Sequence, residues 1–254
     1  MGSGLYSAGP YVAQIYRGTP SVTLLSPFQH RWGITLRVPV TAGFLNYTYW
    51  DIFRKGLPNS LETIGILPMA EIEHYPRPTF SVAPVLGAGA AVNLRNRSHV
   101  WGVVLGLRQL FFIPLRERHL RLYSLMLYGT LWKPAGSAYN ELVMWKNGIE
   151  IRQKIGRKAW GKELDAGFFV LSYLYYTSPH LWIHNKEAFR RRFETEVGIT
   201  FGTFEPLYFW KIKLPRLMVG YRFSSDRPAV ILSAGDSFPI PSPQVQERLR
   251  GSLR

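Results

Sequence analysis

Side chains capable of catalysis are present in this chain, but at spacings that assemble little chemistry. Ser98 and His99 come nearest to a nucleophile beside its base. Neighbouring side chains of an extended segment point to opposite faces, so this pair cannot share a proton. The run Gly156-Arg157-Lys158-Ala159-Trp160-Gly161-Lys162-Glu163 has the glycine and lysine spacing of a phosphate-binding loop. Glu163 stands where the Mg²⁺-binding Ser or Thr belongs and no helical pattern follows, so the match is a coincidence of spacing. Six histidines are scattered without metal-ligand spacing, and His180 and His184 share a face only on a helix. The absence of cysteine excludes disulfide scaffolds, zinc ribbons, iron–sulfur clusters and thiol nucleophiles together. We therefore expect no catalytic residue, no cofactor and no metal site.

The charged residues fall instead on a period of two. In Phe193–Gly202, Phe193, Thr195, Val197, Ile199 and Phe201 alternate with Glu194, Glu196, Gly198, Thr200 and Gly202. Glu150, Arg152 and Lys154 alternate with Ile149, Ile151 and Ile155; Arg222 sits opposite Leu217, Val219, Tyr221 and Phe223. Arg108 alternates with Leu105, Leu107 and Phe111, and Arg37 with Ile34, Leu36 and Val38. Each segment therefore has one greasy face and one small or charged face, the pattern of a β-strand. Glu194 and Glu196 share a face and have the residue types of an acid–base pair; partnership with Arg or Lys of neighbouring strands is the stronger reading. Arg37, Arg108, Glu150, Arg152, Lys154, Glu194, Glu196 and Arg222 are thus expected to form a charge network on one face of a sheet.

Many of these segments run about 9–13 residues, against a mode of about 5–6 for strands of soluble sheets. A strand crossing a bilayer at a tilt needs roughly 9–11 residues. The joints Thr41-Ala42-Gly43, Tyr75-Pro76-Arg77-Pro78, Asn93–Ser98 and Ser225-Asp226-Arg227-Pro228 suit a meander of hairpins. About twelve strands are expected, near residues 10–17, 31–40, 43–52, 62–74, 79–93, 98–113, 119–132, 141–155, 164–176, 191–202, 212–224 and 228–238. The stretch 21–26 either extends the first hairpin or forms a strand of its own. Aromatics gather near strand ends, at Tyr47, Tyr49, Trp50, Trp132, Tyr173, Tyr175, Tyr221 and Phe223. Tyr and Trp favour a membrane–water interface because one end of the ring is apolar and the other wet, and girdles of them frame transmembrane barrels. The fold expected is an all-β, antiparallel up-and-down transmembrane β-barrel over residues 10–240, with residues 1–9 as an N-terminal extension and 241–254 as a disordered basic tail. The bland alternative is a soluble β-barrel or sandwich whose aromatics are core.

The balance of 31 Lys and Arg against 16 Asp and Glu gives a formal charge of +15 over 254 residues, which invites a nucleic-acid reading. Nucleic-acid grooves cluster their basic residues with interleaved aromatics. Here Arg190-Arg191-Arg192 and Arg116, Arg118 and Arg121 are assigned to strand ends and the rest are spread along the chain. Lipid phosphates, lipopolysaccharide and carboxylates of the charged face are the expected anionic partners, and nucleic acid is not. No secretory signal is visible at the N-terminus of this chain, and no run reaches the roughly 18–20 apolar residues of a membrane-spanning helix.

The end of the last strand, Ser233-Ala234-Gly235-Asp236-Ser237-Phe238-Pro239-Ile240, places Ser233, Gly235, Phe238 and Ile240 in the order polar–x–Gly–x–x–aromatic–x–hydrophobic. It resembles the signal that the barrel-assembly machinery reads on the final strand of bacterial outer-membrane proteins; Pro241–Arg254 follows where such signals usually close the chain. Leu131–Ser137, Asn147–Arg152, Glu196–Gly202 and Leu214–Phe223 carry a more specific likeness. The stretch 131–240 resembles the solitary autotransporter-like β-barrels of Gram-negative bacteria. That resemblance implies a barrel of about twelve strands in the outer membrane, inserted by the assembly machinery, and implies no catalytic residues. The longest loops expected, Phe53–Leu61 and Thr177–Arg190, would face outward if both termini are periplasmic; the links 156–163 and 203–211 are exceptions as long links on the inner side, the second with extension of a strand as its alternative. The stretch Ser178–His184 within the second loop is expected to pack over the barrel mouth, with ligand contact by its two His and Trp as the sharper alternative. The function expected is that of a non-enzymatic outer-membrane barrel, structural or transport-related, with a small pore or translocator as one form. A lipid-modifying hydrolase is the first alternative, although the His-x-Ser-Asn-Gly string of outer-membrane phospholipases does not occur. A soluble basic β-barrel is the second.

Overall fold

A computed structural model describes residues 4–8, 11–25, 31–45, 63–94, 97, 99–115, 118–132, 140–177, 193–205, 207–209, 212–213, 216–224 and 229–234. Every regular element among them is a strand. The N-terminal strands are β1 (Gly4–Ala8), β2 (Tyr11–Gly18), β3 (Ser21–Leu25), β4 (Trp32–Arg37), β5 (Val40–Leu45), β6 (Thr63–Ile66) and β7 (Met69–Arg77). The long central strands are β8 (Phe80–Asn93), β9 (His99–Leu115), β10 (Arg118–Trp132), β11 (Asn140–Ala159) and β12 (Lys162–Thr177). The C-terminal strands are β13 (Phe193–Thr203), β14 (Tyr208–Phe209), β15 (Ile212–Lys213), β16 (Leu217–Ser224) and β17 (Ala229–Ala234).

Three prolines divide what would otherwise be longer strands. Pro20 separates β2 from β3, Pro39 separates β4 from β5, and Pro68 lies between β6 and β7. A proline has no N–H to give a ladder, but its carbonyl still accepts. The Pro20, Pro39 and Pro68 carbonyls take hydrogen bonds from the N–H groups of Val38, Leu67 and Ala88. The interruptions therefore line up across adjacent strands as one crease. Beside it Gly89 is obligatory, because a Cβ there would lie 2.2 Å from the Ile66 carbonyl oxygen.

Taken as runs that continue through the prolines, each pass pairs antiparallel with the next. β1 pairs with β2, β2 and β3 pair with β5 and β4, and these pair with β6 and β7. β8 then pairs with both β6 and β7, and the order continues through β9, β10, β11, β12, β13, β16 and β17. β14 and β15 form a small hairpin, and β15 also pairs with β3. β17 meets β2 through one parallel bridge, Ala234 to Gly18. The result is an all-β, antiparallel up-and-down sheet.

Several boundaries differ from the sequence reading. Thr41-Ala42-Gly43 is no turn: it lies inside β5, paired with β2 on one side and β6 on the other. The stretches read as strands 31–40 and 43–52 therefore begin as one pass, interrupted by Pro39, with residues 46–52 outside the described set. Gly4–Ala8, in the stretch read as an extension, is β1. The long turn expected at 156–163 shrinks to Trp160-Gly161, with φ of 50° and 74°. Positive φ at both central residues makes the two-residue turn whose twist matches the flanking strands, so the strands continue where a loop was expected.

The two ends of the sheet are unequal. Pro78-Thr79, residues 116–117 and Trp160-Gly161 join strands at one end, with longer links at 26–31 and 204–207. The links 46–62, 94–98, 133–139 and 178–192 lie at the other, with the shorter links 9–10 and 225–228. Ser178–His184, His180 and His184 included, Phe53–Leu61 and the tail 241–254 lie outside the described residues.

Candidate functional site

The alternation of side chains divides the sheet into two faces of opposite character, and the charged one is buried. Arg121, Arg152 and Glu150 are each 1% exposed and Asp165 is fully buried. The exposed face is apolar. Phe80, Phe111, Leu122, Ile149, Val170, Val197, Tyr221 and Val230 stand directly opposite one another in register, a single apolar row across β8 to β17. Trp101, Leu105, Leu107, Met126 and Phe223 are exposed on the same face.

The buried face carries three ionic clusters. In the first, Arg37 Nε lies 2.8 Å from Glu71, and Arg108 Nη2 bridges Glu71 at 3.1 Å and Glu73 at 2.9 Å. The Ser81 hydroxyl donates to Glu73 at 3.2 Å. In the second, Arg121 lies 3.5 Å from Glu150, while Asp165 binds both Arg152 and Arg216, the latter at 2.6 Å. The Thr200 hydroxyl donates to Glu150 at 2.9 Å, and Arg152 and Arg216 both donate to the Thr203 carbonyl. In the third, Arg222 bridges Glu196 at 2.7 Å and Glu194 at 3.3 Å. The Tyr173 hydroxyl donates to Glu196, and the Tyr175 hydroxyl to Glu194. Lys154 pairs with Glu163 nearer the short-turn end.

Aromatic and aliphatic side chains occupy the space between the clusters. Leu110, Tyr123, Phe169, Leu171, Tyr173 and Met218 form one cluster drawn from β9, β10, β12 and β16. Contacts across that many strands require the sheet to curl around its buried face. Phe169 lies over two glycines: a Cβ on Gly198 would sit 2.7 Å from its ring and one on Gly220 3.2 Å. At the short-turn end His119 is edge-on to Phe112 at 4.7 Å and to Phe204 at 4.4 Å, and Lys154 lies 4.7 Å from the Phe204 ring centre. This stack sits beside the second ionic cluster, with Arg121 over the Phe112 ring.

The structure thus places all eight residues of the expected charge network on the buried face or at its end. Seven of them fall into the three clusters, which buried aromatic and aliphatic side chains separate, and Lys154 pairs with Glu163 towards the short-turn end. Their partners Glu71, Glu73, Asp165 and Arg216 were missed, although Asp165 has the same parity as Gly167 and Phe169, which is the readable signal. Arg121, assigned from sequence to a strand end, is instead a member of the second cluster. Tyr173 and Tyr175 are not interface aromatics. Their parity matches Asp165, Phe169 and Leu171, so both face inward and serve the carboxylates of the third cluster. Trp132, Tyr221 and Phe223 are exposed; Tyr47, Tyr49 and Trp50 lie outside the described residues. Of the expected assembly signal only Ser233 is described, in β17, and Gly235, Phe238 and Ile240 are not. The string resembling a phosphate-binding loop is the end of the β11–β12 hairpin, and the segment after Gly161 is strand rather than helix.

No protein-family model and no curated protein matches the sequence.

Proposed function

We propose that the chain is an integral β-barrel of a bacterial outer membrane, closed by β17 against β1 and β2, with a packed interior and a structural rather than enzymatic role. The inverted distribution of side chains carries this reading. Soluble monomers rarely expose contiguous apolar patches beyond a few hundred Å², and their buried charges are few. Here Arg, Glu and Asp fill the interior while Trp, Leu, Ile and Phe form the exterior, as in a sheet that has lipid outside. About twelve passes, counted through the prolines, suit antiparallel closure, and closure would satisfy every backbone donor and acceptor in lipid. The unequal links suit short periplasmic turns and long outer loops. Exposed aromatics at both ends of the strands, with Trp101, Trp132 and Tyr176 towards the long links and Trp32 and Phe111 towards the short turns, suit two girdles. The partners follow: outer-membrane lipid and lipopolysaccharide around the barrel, and the assembly machinery during insertion.

The interior disfavours the pore version of this function. Buried rings occupy the centre, and the internal charges nearly balance: Arg37 and Arg108 face Glu71 and Glu73, and Arg222 faces Glu194 and Glu196. The excess of internal arginine that would draw anions through a lumen is therefore small. The same pairing disfavours nucleic acid, because these guanidiniums are committed to carboxylates.

The deciding experiment is extraction in detergent followed by gel migration with and without boiling. A folded barrel migrates differently from its boiled form and needs detergent to stay dispersed. Equal mobility of the two samples, with solubility in plain buffer, would overturn the membrane reading.

A further inference from the structure

We propose that the tip of the β11–β12 hairpin, residues 155–162, is a docking surface for anionic phospholipid headgroups of the leaflet at the short-turn end. The inference rests on the membrane-barrel reading and adds to it a specific lipid contact. β10 begins at Arg118 opposite Gln153, and β13 ends at Thr203 opposite Leu164. Residues 155–162 therefore project past both neighbouring strands. Between Lys154 and Lys158 the register shifts, with Gly156 at a φ of 76°. A bulge bends a strand, so the tip leaves the line of the sheet.

Arg157, Lys158 and Trp160 are the exposed side chains that this projection presents. Trp160 is 79% exposed and sits at a φ of 50°. Asn or Gly adopts that backbone conformation readily, and a bulky aromatic does not. Turn chemistry therefore argues against Trp at this position, and burial does not explain it. Arg157 and Lys158 are exposed beside it, Lys162 pairs with Glu205 at 3.7 Å, and no acidic residue occurs between 155 and 162. Ile149, Ile151 and Ile155 lead along the exposed apolar face to the tip. Isoleucines followed by two basic residues and a turn indole combine the apolar, cationic and amphipathic groups that suit the boundary between hydrocarbon and headgroups. Charge complementarity selects anionic headgroups. A soluble polyanion would use the charges but leave the isoleucines and the indole unexplained.

The test uses the full chain in a neutral detergent, titrated with phosphatidylglycerol or phosphatidylcholine and read by native mass spectrometry. Wild type should retain phosphatidylglycerol preferentially. Arg157→Gln with Lys158→Gln should weaken that retention about 25-fold, at a factor of about five for each basic residue near an anionic surface. Trp160→Asn should relieve the backbone and raise resistance to unfolding while weakening lipid retention severalfold. Equal phosphatidylglycerol retention by wild type and variants would overturn the proposal. So would binding of soluble polyglutamate that is as tight as lipid and as sensitive to the same substitutions, which would make the partner a soluble polyanion. Heat-dependent gel migration of each variant reports the barrel separately: its loss from wild type removes both readings, and its retention with unaltered lipid binding removes this one alone.

Discussion

Replacing Asp165 by asparagine tests whether the interior is packed or water-filled. Asp165 is fully buried and binds both Arg152 and Arg216. The second cluster holds three guanidiniums, on Arg121, Arg152 and Arg216, against two carboxylates, on Glu150 and Asp165. Asp165→Asn keeps the shape but leaves one carboxylate to face three cations. In a dry interior, removing one partner of a buried pair costs about 3–5 kcal/mol, and the upper part of that range applies because two arginines lose their anion. In a water-filled lumen a pair is worth about 1 kcal/mol or less. Guanidinium unfolding of the protein refolded in lipid, followed by tryptophan fluorescence and gel migration, separates these outcomes. Adding Arg152→Gln restores the original charge difference of the cluster, so the double variant should recover about 1–3 kcal/mol of the loss. A loss under about 0.5 kcal/mol for Asp165→Asn, with no recovery in the double variant, would refute the packed interior.

Other consequences are as direct. Gly198→Ala places a Cβ 2.2 Å from the Val219 carbonyl oxygen and 2.6 Å from the Gly220 Cα; backbone cannot yield as a side chain does, so a loss of at least about 1–3 kcal/mol is expected by the same unfolding assay. Gly156→Ala meets nothing within 4 Å but keeps a φ of 76°, so it should cost only about 1–2 kcal/mol, from backbone conformation alone. Leu107→Arg puts a charge on the exposed apolar face and should cost about 2–4 kcal/mol in lipid if that position lies near the bilayer midplane; a neutral effect there would count against lipid contact. In planar bilayers the wild-type protein should show no steady ohmic current, and stable conductance steps would show an open lumen.

The exposed-versus-buried pattern was legible wherever period two ran unbroken. Glu194 and Glu196 and the group Glu150, Arg152 and Lys154 were assigned to the face that the structure buries, because strand parity leaves one choice once a single residue is placed. Parity also contained the error at Tyr173 and Tyr175. Their residue type suggested a membrane interface, but their position shares the inner face with Asp165 and Phe169. Type and parity disagreed, and parity prevailed, since a one-residue slip would turn Asp165 towards the apolar face. The misread turn at Thr41-Ala42-Gly43 has a different origin. Glycine marks turns and close-packed strands equally, and Pro39, four residues before Gly43, was the actual interruption.

Alternation, strand length and residue type along single strands are local properties, so the sequence by itself determined an all-β chain with one apolar and one polar-and-charged face. Which of those faces would be enclosed was not local, because a soluble and a membrane barrel share the same period. Tertiary structure decided it, by curling the sheet over its charged face, which is the buried one. It also decided which charges meet. Asp165 reaches Arg216 across β13, and Arg108 reaches Glu71 across β8. The Trp160-Gly161 turn likewise depended on pairing that runs to Ala159 and Lys162. Such contacts depend on register and curvature, which are set by the whole sheet and by no one strand of it.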